Sequence, residues 1–256
     1  MPREGTFDNV RSFAAGWQFV GATPLSEPDD CWNIPLRSSW DQNVFTSISL
    51  GCSKLAIKRS RKVDSEKQKV HWDLKYEQGL TSLTEPDPFF ISAYKTFVDQ
   101  SFPDAGVALD LAGGLGRHAL WLASRRWQVS VVDLSDVAIG KLTQTARDLN
   151  VKLDAFVGDA AEYEFQPTRF DLIVLFYHLD RNLFPKMVSA LKPGGVLICK
   201  MSLRWDSDGR QTIVSTDPLS RSELPSLVPE MHVLFHHERP VRDRGVVEFV
   251  ARKAAK

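Results

Sequence analysis

The sequence predicts an α/β protein built on a doubly wound, mostly parallel sheet. Three observations predict it. Apolar runs of strand length alternate with helical patterns from residue 107 onward, a glycine-rich turn joins the first strand to the first helix after it, and an acid closes the second strand. The first strand is Val107 to Leu111, a short apolar run of the kind buried on both faces of a sheet. Gly113, Gly114 and Gly116 turn the chain, and Leu120, Trp121 and Leu122 start a helical pattern that runs to about Arg126. Gln128 to Asp133 is the second strand, and Ser135 caps a helix from Asp136 to Leu149. Val151 to Val157 is the third strand, broken at Gly158-Asp159; Phe170 to Phe176 is the fourth. A helix over Asn182 to Leu191, a tight turn at Lys192-Pro-Gly-Gly195 and a fifth strand over Val196 to Met201 follow. A short helix over Ser222 to Leu227 precedes two closing strands, Met231 to His237 and Val246 to Ala251, which bring the sheet to seven strands. Upstream, Pro86 or Pro88 is placed to open a helix running through Phe97. Trp72, Tyr76, Phe89 and Phe90 read either as packing residues of an N-terminal helix or as a lid over a pocket.

A chain of 256 residues has the length for one α/β domain plus an extension. Its apolar content of 43% and charged content of 25% are those of a soluble globular protein. Thirty-two basic and 32 acidic residues cancel, so the chain has no net field to steer polyanions, which argues against a nucleic-acid partner. No apolar run approaches the ~20 residues of a membrane span, and the first residues lack the build of a signal peptide. A cytoplasmic protein with no membrane partner is the expectation; oligomeric state is left open. Cys31, Cys52 and Cys199 are scattered without C-x-x-C spacing, which argues against a disulfide framework or a zinc site. His232, His236, His237 and Glu238 suggest a metal, yet His236 and His237 point to opposite faces of a strand, so none is expected.

Residues 1–70 divide from 71–256. Pro2, Pro24, Pro28 and Pro35 interrupt any periodicity, and Trp17, Trp32 and Trp40 follow none. Residues 54–69 carry seven basic and two acidic side chains. A nucleic-acid arm has this composition, and so does a solvated linker; without interleaved aromatics the linker is the better reading. The whole segment is expected to be a poorly ordered extension or linker, or not a native part of the protein, in which case Val63 or Val70 is a candidate start from a non-AUG codon.

The glycine turn admits two ligands. Gly114-Leu-Gly116-Arg-His-Ala119 fits the G-x-G-x-x-G/A pattern of dinucleotide sites. The longer stretch Leu109-Asp-Leu-Ala-Gly-Gly-Leu-Gly116 equally fits a turn for S-adenosylmethionine. Asp110 separates them: a carboxylate beside a pyrophosphate has no use, whereas a phosphate-free cofactor with an ammonium and a sulfonium welcomes one. Asp133, 17 residues beyond Gly116, is placed to accept from two ribose hydroxyls under either reading. Asp159 is placed to accept from an adenine amino group, with the Ala160 N–H addressing the ring. The Pro-Gly-Gly entry to the fifth strand belongs with the second reading.

Asp110-Leu-Ala-Gly-Gly-Leu-Gly116, Val132-Asp133, Gly158-Asp159-Ala160, Phe170-Asp171-Leu-Ile-Val and Lys192-Pro-Gly-Gly195 together resemble class I S-adenosylmethionine-dependent methyltransferases. Trp72-Asp-x-x-Tyr76-x-x-Gly79 and Leu179-Asp-Arg-Asn-Leu-Phe184 look like the small-molecule branch that includes the tellurite-resistance enzymes. The resemblance spans roughly residues 71 to 252 and implies a Rossmann-like methyltransferase fold. It implies S-adenosylmethionine as cofactor, held by Asp110, Ala112, Gly113, Gly114, Gly116, Asp133, Leu134, Asp159, Ala160 and Phe176. The family's first glycine falls on Ala112, which can serve if its φ stays negative, and its frequent cysteine falls on Gly113. His118 stands where relatives often show Asn; it either alters contacts to the methionine end of the cofactor or has a helix-capping or surface role.

Methyl transfer to a small-molecule acceptor by in-line displacement at the sulfonium methyl is the expected reaction. Tyr177, His178 and Arg181 follow the fourth strand, where ligands of open α/β sheets gather, and are the candidates for the acceptor side. There His178 could deprotonate an acceptor and Arg181 could hold an anionic one; packing for Tyr177 and His178 is the alternative. A non-catalytic adenosylmethionine-binding or nucleic-acid-associated module, and an NAD-dependent reductase, are the competing functions.

Overall fold

The computed structural model describes residues 64–79, 84–204, 219–241 and 244–255. In chain order the elements are α1 (residues 64–77), α2 (Pro88–Phe97), β1 (Val107–Leu111), α3 (Arg117–Ala123), β2 (Gln128–Asp133), α4 (Asp136–Asp148) and β3 (Asp154–Val157). They continue with a 3-10 turn (Ala160–Glu162), β4 (Phe170–Phe176), α5 (Leu183–Ala190), β5 (Leu191–Leu203), α6 (Leu224–Leu227), β6 (Met231–Val241) and β7 (Arg244–Lys253). The seven strands form one sheet in the order β3-β2-β1-β4-β5-β7-β6.

Six strands run in one direction, and β7 inserts antiparallel between β5 and β6. The chain winds outward from β1 through β2 to β3, then returns to lay β4 on the other side of β1. This reversal parts the connections above β1 and β4, and a crevice opens at the carboxyl ends of these strands. Strand alternation sends Leu109, Leu111, Ile173 and Leu175 to one face, where they pack on Leu183, Phe184 and Met187 of α5. Ala108, Leu172 and Val174 face the other way, onto Phe90 of α2, Ala119 and Leu122 of α3 and Leu142 of α4. Burial on both faces explains why the inner strands read as continuous apolar runs.

Helix boundaries follow local chemistry. Pro88, not Pro86, occupies the first turn of α2, and the Asp87 carboxylate accepts from the Phe89 N–H at 2.9 Å as its N-cap. Ser135 caps α4 by accepting from the Ala138 N–H at 3.0 Å. The α3 helix stops at Ala123, three residues before the expected end: Arg126 turns to φ 69° and the Trp127 N–H bonds back to the Leu122 carbonyl, which buries the indole. Asn150, at φ 52°, closes α4, and the Val151 N–H returns to Ala146, so β3 begins at Asp154 and not at Val151. Lys192-Pro-Gly-Gly195 does not precede the fifth strand; it lies within it as a register shift, with Leu191 already paired to Phe170 and Gly194 at φ 80°. The helix before it spans Leu183–Ala190, one residue shorter at each end than expected.

The α1 helix crosses the expected division at residue 70. Its first turns are charged and lack an apolar stripe, so they read as linker in isolation; the ion pair of Lys69 with Asp136 of α4 fastens them to the domain, while Lys69 with Asp73 pairs within the helix. The expectations for residues 1–63 lie outside the described residues. Among the described residues no helix is long and apolar enough to cross a membrane.

Gly116 is the N-cap of α3 at φ 72°, and a Cβ there would overlap the buried Leu142 side chain. Both left-handed backbone and crowding penalise a side chain, so Gly116→Ala is expected to lower unfolding free energy by about 2–4 kcal/mol. Urea denaturation monitored by circular dichroism checks this; an unchanged midpoint would contradict the packing described.

Candidate active site

The crevice at the carboxyl ends of β1, β2 and β4 is a cleft lined by the glycine turn, the strand ends and one face of α1. The turn is built tightly. Gly116 donates its N–H to Gly113 at 2.9 Å, and Gly113 donates to the Val132 carbonyl at 3.3 Å. A Cβ on Gly113 would press against Val131 and Asp110, and one on Gly114 would overlap the Tyr76 hydroxyl. Ala112 sits at φ 51°, so the condition of a negative φ is not met. A left-handed alanine costs roughly 1–2 kcal/mol, which the surrounding turn absorbs.

Three carboxylates close the strand ends, and each has a different environment. Asp110 is 1% exposed, and its Oδ2 has no hydrogen-bond partner. Burial, with nearby Asp133 adding to it, raises its pKa to about 7 against the opposing pull of a backbone N–H at Ala119 and of Arg117. Asp133 is also buried and also shifted upward by burial, yet both its oxygens are satisfied: Oδ2 accepts from the Gly114 N–H at 2.8 Å and Oδ1 from the Ser135 N–H at 2.9 Å. Asp159 accepts from the Ala161 N–H at 2.8 Å, which caps the 3-10 turn, and from the Ser65 hydroxyl of α1.

Of the cofactor residues expected from the sequence, Asp110, Ala112, Gly113, Gly114, Asp133, Leu134, Asp159, Ala160 and Phe176 all line this cleft. Gly116 does not; it turns its Cα toward Leu142 and shapes the loop from behind. Tyr177 and His178 line the cleft as well. Tyr177 is held at φ 58° by its N–H donating to the Lys200 carbonyl at 2.7 Å, and the residue is 44% exposed. His178 is turned inward, and Asp159, Asp180 and Asp133 act on its imidazole. Arg181 is outside the cleft lining. Its guanidinium pairs in two-pronged fashion with the Glu223 carboxylate ahead of α6, because the loop after β4 leans toward that helix.

His118 is 3% exposed and lines the cleft beside the glycine turn. It accepts the Asp87 N–H at 3.3 Å and lies between Phe90 and Phe176, with ring centroids 4.6 and 4.3 Å away. Burial lowers its pKa to about 3, with Arg117 and Lys200 adding to the shift, so it is neutral throughout the physiological range.

Sequence reasoning left one feature open between two readings and missed another. The first is the wall supplied by α1, read as packing or as a lid: Gln68, Trp72 and Tyr76 face the cleft, Asp73 accepts from the Ser135 hydroxyl, and the Lys141 ammonium donates to the Tyr76 carbonyl. The Trp72-x-x-x-Tyr76 spacing, one helical turn, was the available signal. The second is a buried ionic group beside Phe89: Lys200 reaches Asp87 at 2.9 Å and Glu248 at 3.0 Å, and Arg239 also meets Glu248 at 3.1 Å. Lys200 stands inside an apolar strand, which marked it without naming its partners. His236 pairs with Glu238 at 3.0 Å, while His237 faces Glu248 on the other side of β6. Among the described residues no group of three or more His, Cys, Asp or Glu is placed to hold a metal.

Residues 108–195, which contain the glycine turn and all three strand-end carboxylates, match a family described as a methyltransferase domain. The match spans about a third of the chain, and the fold around it is similar to that of S-adenosylmethionine-dependent methyltransferases. Solved structures of similar fold include the cyclase SpnF, at 17% identity over 66% of this chain and 80% of that one, TM-score 0.56. TehB from Haemophilus influenzae is 18% identical over 70% of this chain and 66% of its own, TM-score 0.56. A SAM-dependent methyltransferase from Methanosarcina mazei is 18% identical over 67% of this chain and all of its own, TM-score 0.51. At these identities the likeness is one of fold. Comparison with curated protein sequences found no match.

Burial of Asp110 sets a pH dependence. Its carboxyl ionises near 3.8 when unfolded and about 7 when folded. Stability conferred by the protonated form is complete below the lower value and is lost as pH rises through the upper one. Asp110→Asn removes this loss, so in the ligand-free protein the variant should be stabilised relative to the parent at pH 8 by a few kcal/mol more than at pH 4. Each pH unit between the folded and unfolded values contributes about 1.4 kcal/mol to that difference. Urea midpoints at the two pH values test it; parallel curves would contradict the burial of an unpartnered carboxylate.

Proposed function

We propose that this protein transfers the S-methyl group of S-adenosylmethionine to a small-molecule acceptor by in-line displacement at the sulfonium methyl. The observation that carries the reading is Asp110. A carboxylate that is 1% exposed with an unpartnered oxygen facing a cleft is an unfavourable arrangement unless a cation meets it. An ammonium or sulfonium compensates it, and a pyrophosphate would be repelled, so the donor set fits S-adenosylmethionine better than a dinucleotide.

When bound, the cofactor supplies a methyl group already activated by a sulfonium leaving group. The rest is positioning. Gly113 and Gly114 keep the turn free of side chains beside Asp110. Each Asp133 oxygen accepts one backbone N–H and keeps a lone pair for a ribose hydroxyl, and those N–H bonds fix its orientation beforehand. Leu134, Ala160 and Phe176 supply apolar walls suited to a purine. The α1 face, through Trp72 and Tyr76, forms one wall of the cleft. Tyr177, exposed at the rim and held in a strained backbone conformation, is assigned to the acceptor side. Holding an acceptor and the methyl group in line contributes up to ~7–11 kcal/mol. A general base is required only for an acceptor that is protonated at the working pH.

The zero net charge of the chain favours a small acceptor over nucleic acid. Relatives of similar fold include a cyclase, so fold does not select the chemistry. The domain is taken to begin with α1, not at residue 71, because Ser65 and Gln68 reach the site.

Calorimetry with S-adenosylmethionine, S-adenosylhomocysteine and NAD tests the cofactor, and transfer of a labelled methyl group to a panel of small acceptors tests the reaction. Binding of the first two without NAD is expected; tight NAD binding would overturn the reading. Asp133→Ala should weaken S-adenosylhomocysteine by about 1.5–3 kcal/mol. A chain beginning at residue 71 should bind it more weakly than one beginning at residue 64. Equal affinities would remove α1 from the site.

A further inference from the structure

We infer that His178 binds the nucleoside half of the cofactor through Nε2, and that it does not act on the acceptor. This rests on the cofactor reading above. Among the described residues, the buried side-chain polar atoms without a hydrogen-bond partner are Asp110 Oδ2 and His178 Nε2, and both residues line the same cleft. A buried polar atom left unpaired costs its full desolvation. Two such atoms converging on one cleft mark where a ligand supplies the missing partners. Asp110 has the charge for the cationic, methionine end. His178 offers a neutral hydrogen-bonding nitrogen, the requirement of a ribose or a purine edge.

Its position agrees. Tyr177 takes a left-handed backbone that sends its own ring to the exposed rim and turns the next side chain inward. The charged groups acting on the imidazole are Asp159, Asp180 and Asp133, and two of these are the strand-end acids of the nucleoside half. The buried Lys200, Asp87 and Glu248 group is not among them. Burial outweighs these carboxylates and lowers the imidazole's pKa, so it stays neutral with one donor and one acceptor nitrogen. A weakened base is also a poorer choice for taking a proton from an acceptor.

The test uses the full chain and calorimetry with two probes: S-adenosylhomocysteine, and 5′-methylthioadenosine, which keeps the nucleoside and lacks the amino acid. His178→Ala is expected to weaken both by a similar factor, about tenfold, and His178→Asn to recover part of the loss. Asp110→Asn should weaken S-adenosylhomocysteine far more than 5′-methylthioadenosine. In turnover assays His178→Ala should raise KM for S-adenosylmethionine and leave kcat at saturation nearly unchanged. If folded His178→Ala binds both probes within about twofold of the parent, the inference is overturned while the cofactor reading stands. Failure of the parent itself to bind S-adenosylhomocysteine would overturn that reading instead. His178→Asn serves the same comparison should the alanine variant not fold.

Discussion

A buried carboxyl group with one oxygen left unpaired sits at the centre of this structure. Asp110 is enclosed by the β1 end and the glycine turn, and the fold leaves one of its oxygens unpaired. Parallel pairing of β1 with both β2 and β4 places it where the winding of the sheet reverses, so the crevice opens directly onto it. The tightness of the turn has the same origin: Gly113 must clear both Asp110 and Val131, which leaves no room for a larger residue to shield the acid.

The neighbouring acids show how differently one sheet edge can treat the same functional group. Asp133 is preorganised by two backbone N–H groups, and Asp159 is occupied in capping a turn and receiving Ser65. Lys200, Asp87, Glu248 and Arg239 form a charge-compensated cluster that needs no ligand. Orientation in Asp133, latent charge in Asp110 and rigidity around Lys200 are separate contributions to one surface, and only the unpaired group calls for an added cation.

The α1 helix ties the entrance of the cleft to the sheet by polar contacts and buries little apolar surface. Lys69, Asp73 and Lys141 connect it to α4 and its cap, while Trp72 and Leu74 stay substantially exposed. Exposed ion pairs contribute modestly to stability, so this wall is the part of the site least firmly fixed by the core, as suits an element over a ligand path.

The strands, their order in the chain, the glycine turn and the acids at the strand ends were legible in the amino-acid sequence because each depends on neighbours within a few residues. Apolar runs bury themselves, glycine permits positive φ, and an acid after an apolar run falls at a strand's end. The contribution of α1 was legible only as one of two readings of Trp72 and Tyr76, and its first, charged turns look like linker until Asp136 and Ser135 are beside them. The fate of Arg181 was not legible, since it depends on Glu223, 42 residues away. His178 and Tyr177 are adjacent in sequence, and only the left-handed backbone at Tyr177 sends one to the rim and the other inward. Residue type and spacing determined which groups this protein possesses. Long-range packing decided which of them were paired with each other and which were left facing the cleft, because a hydrogen bond is satisfied in space and not along the chain.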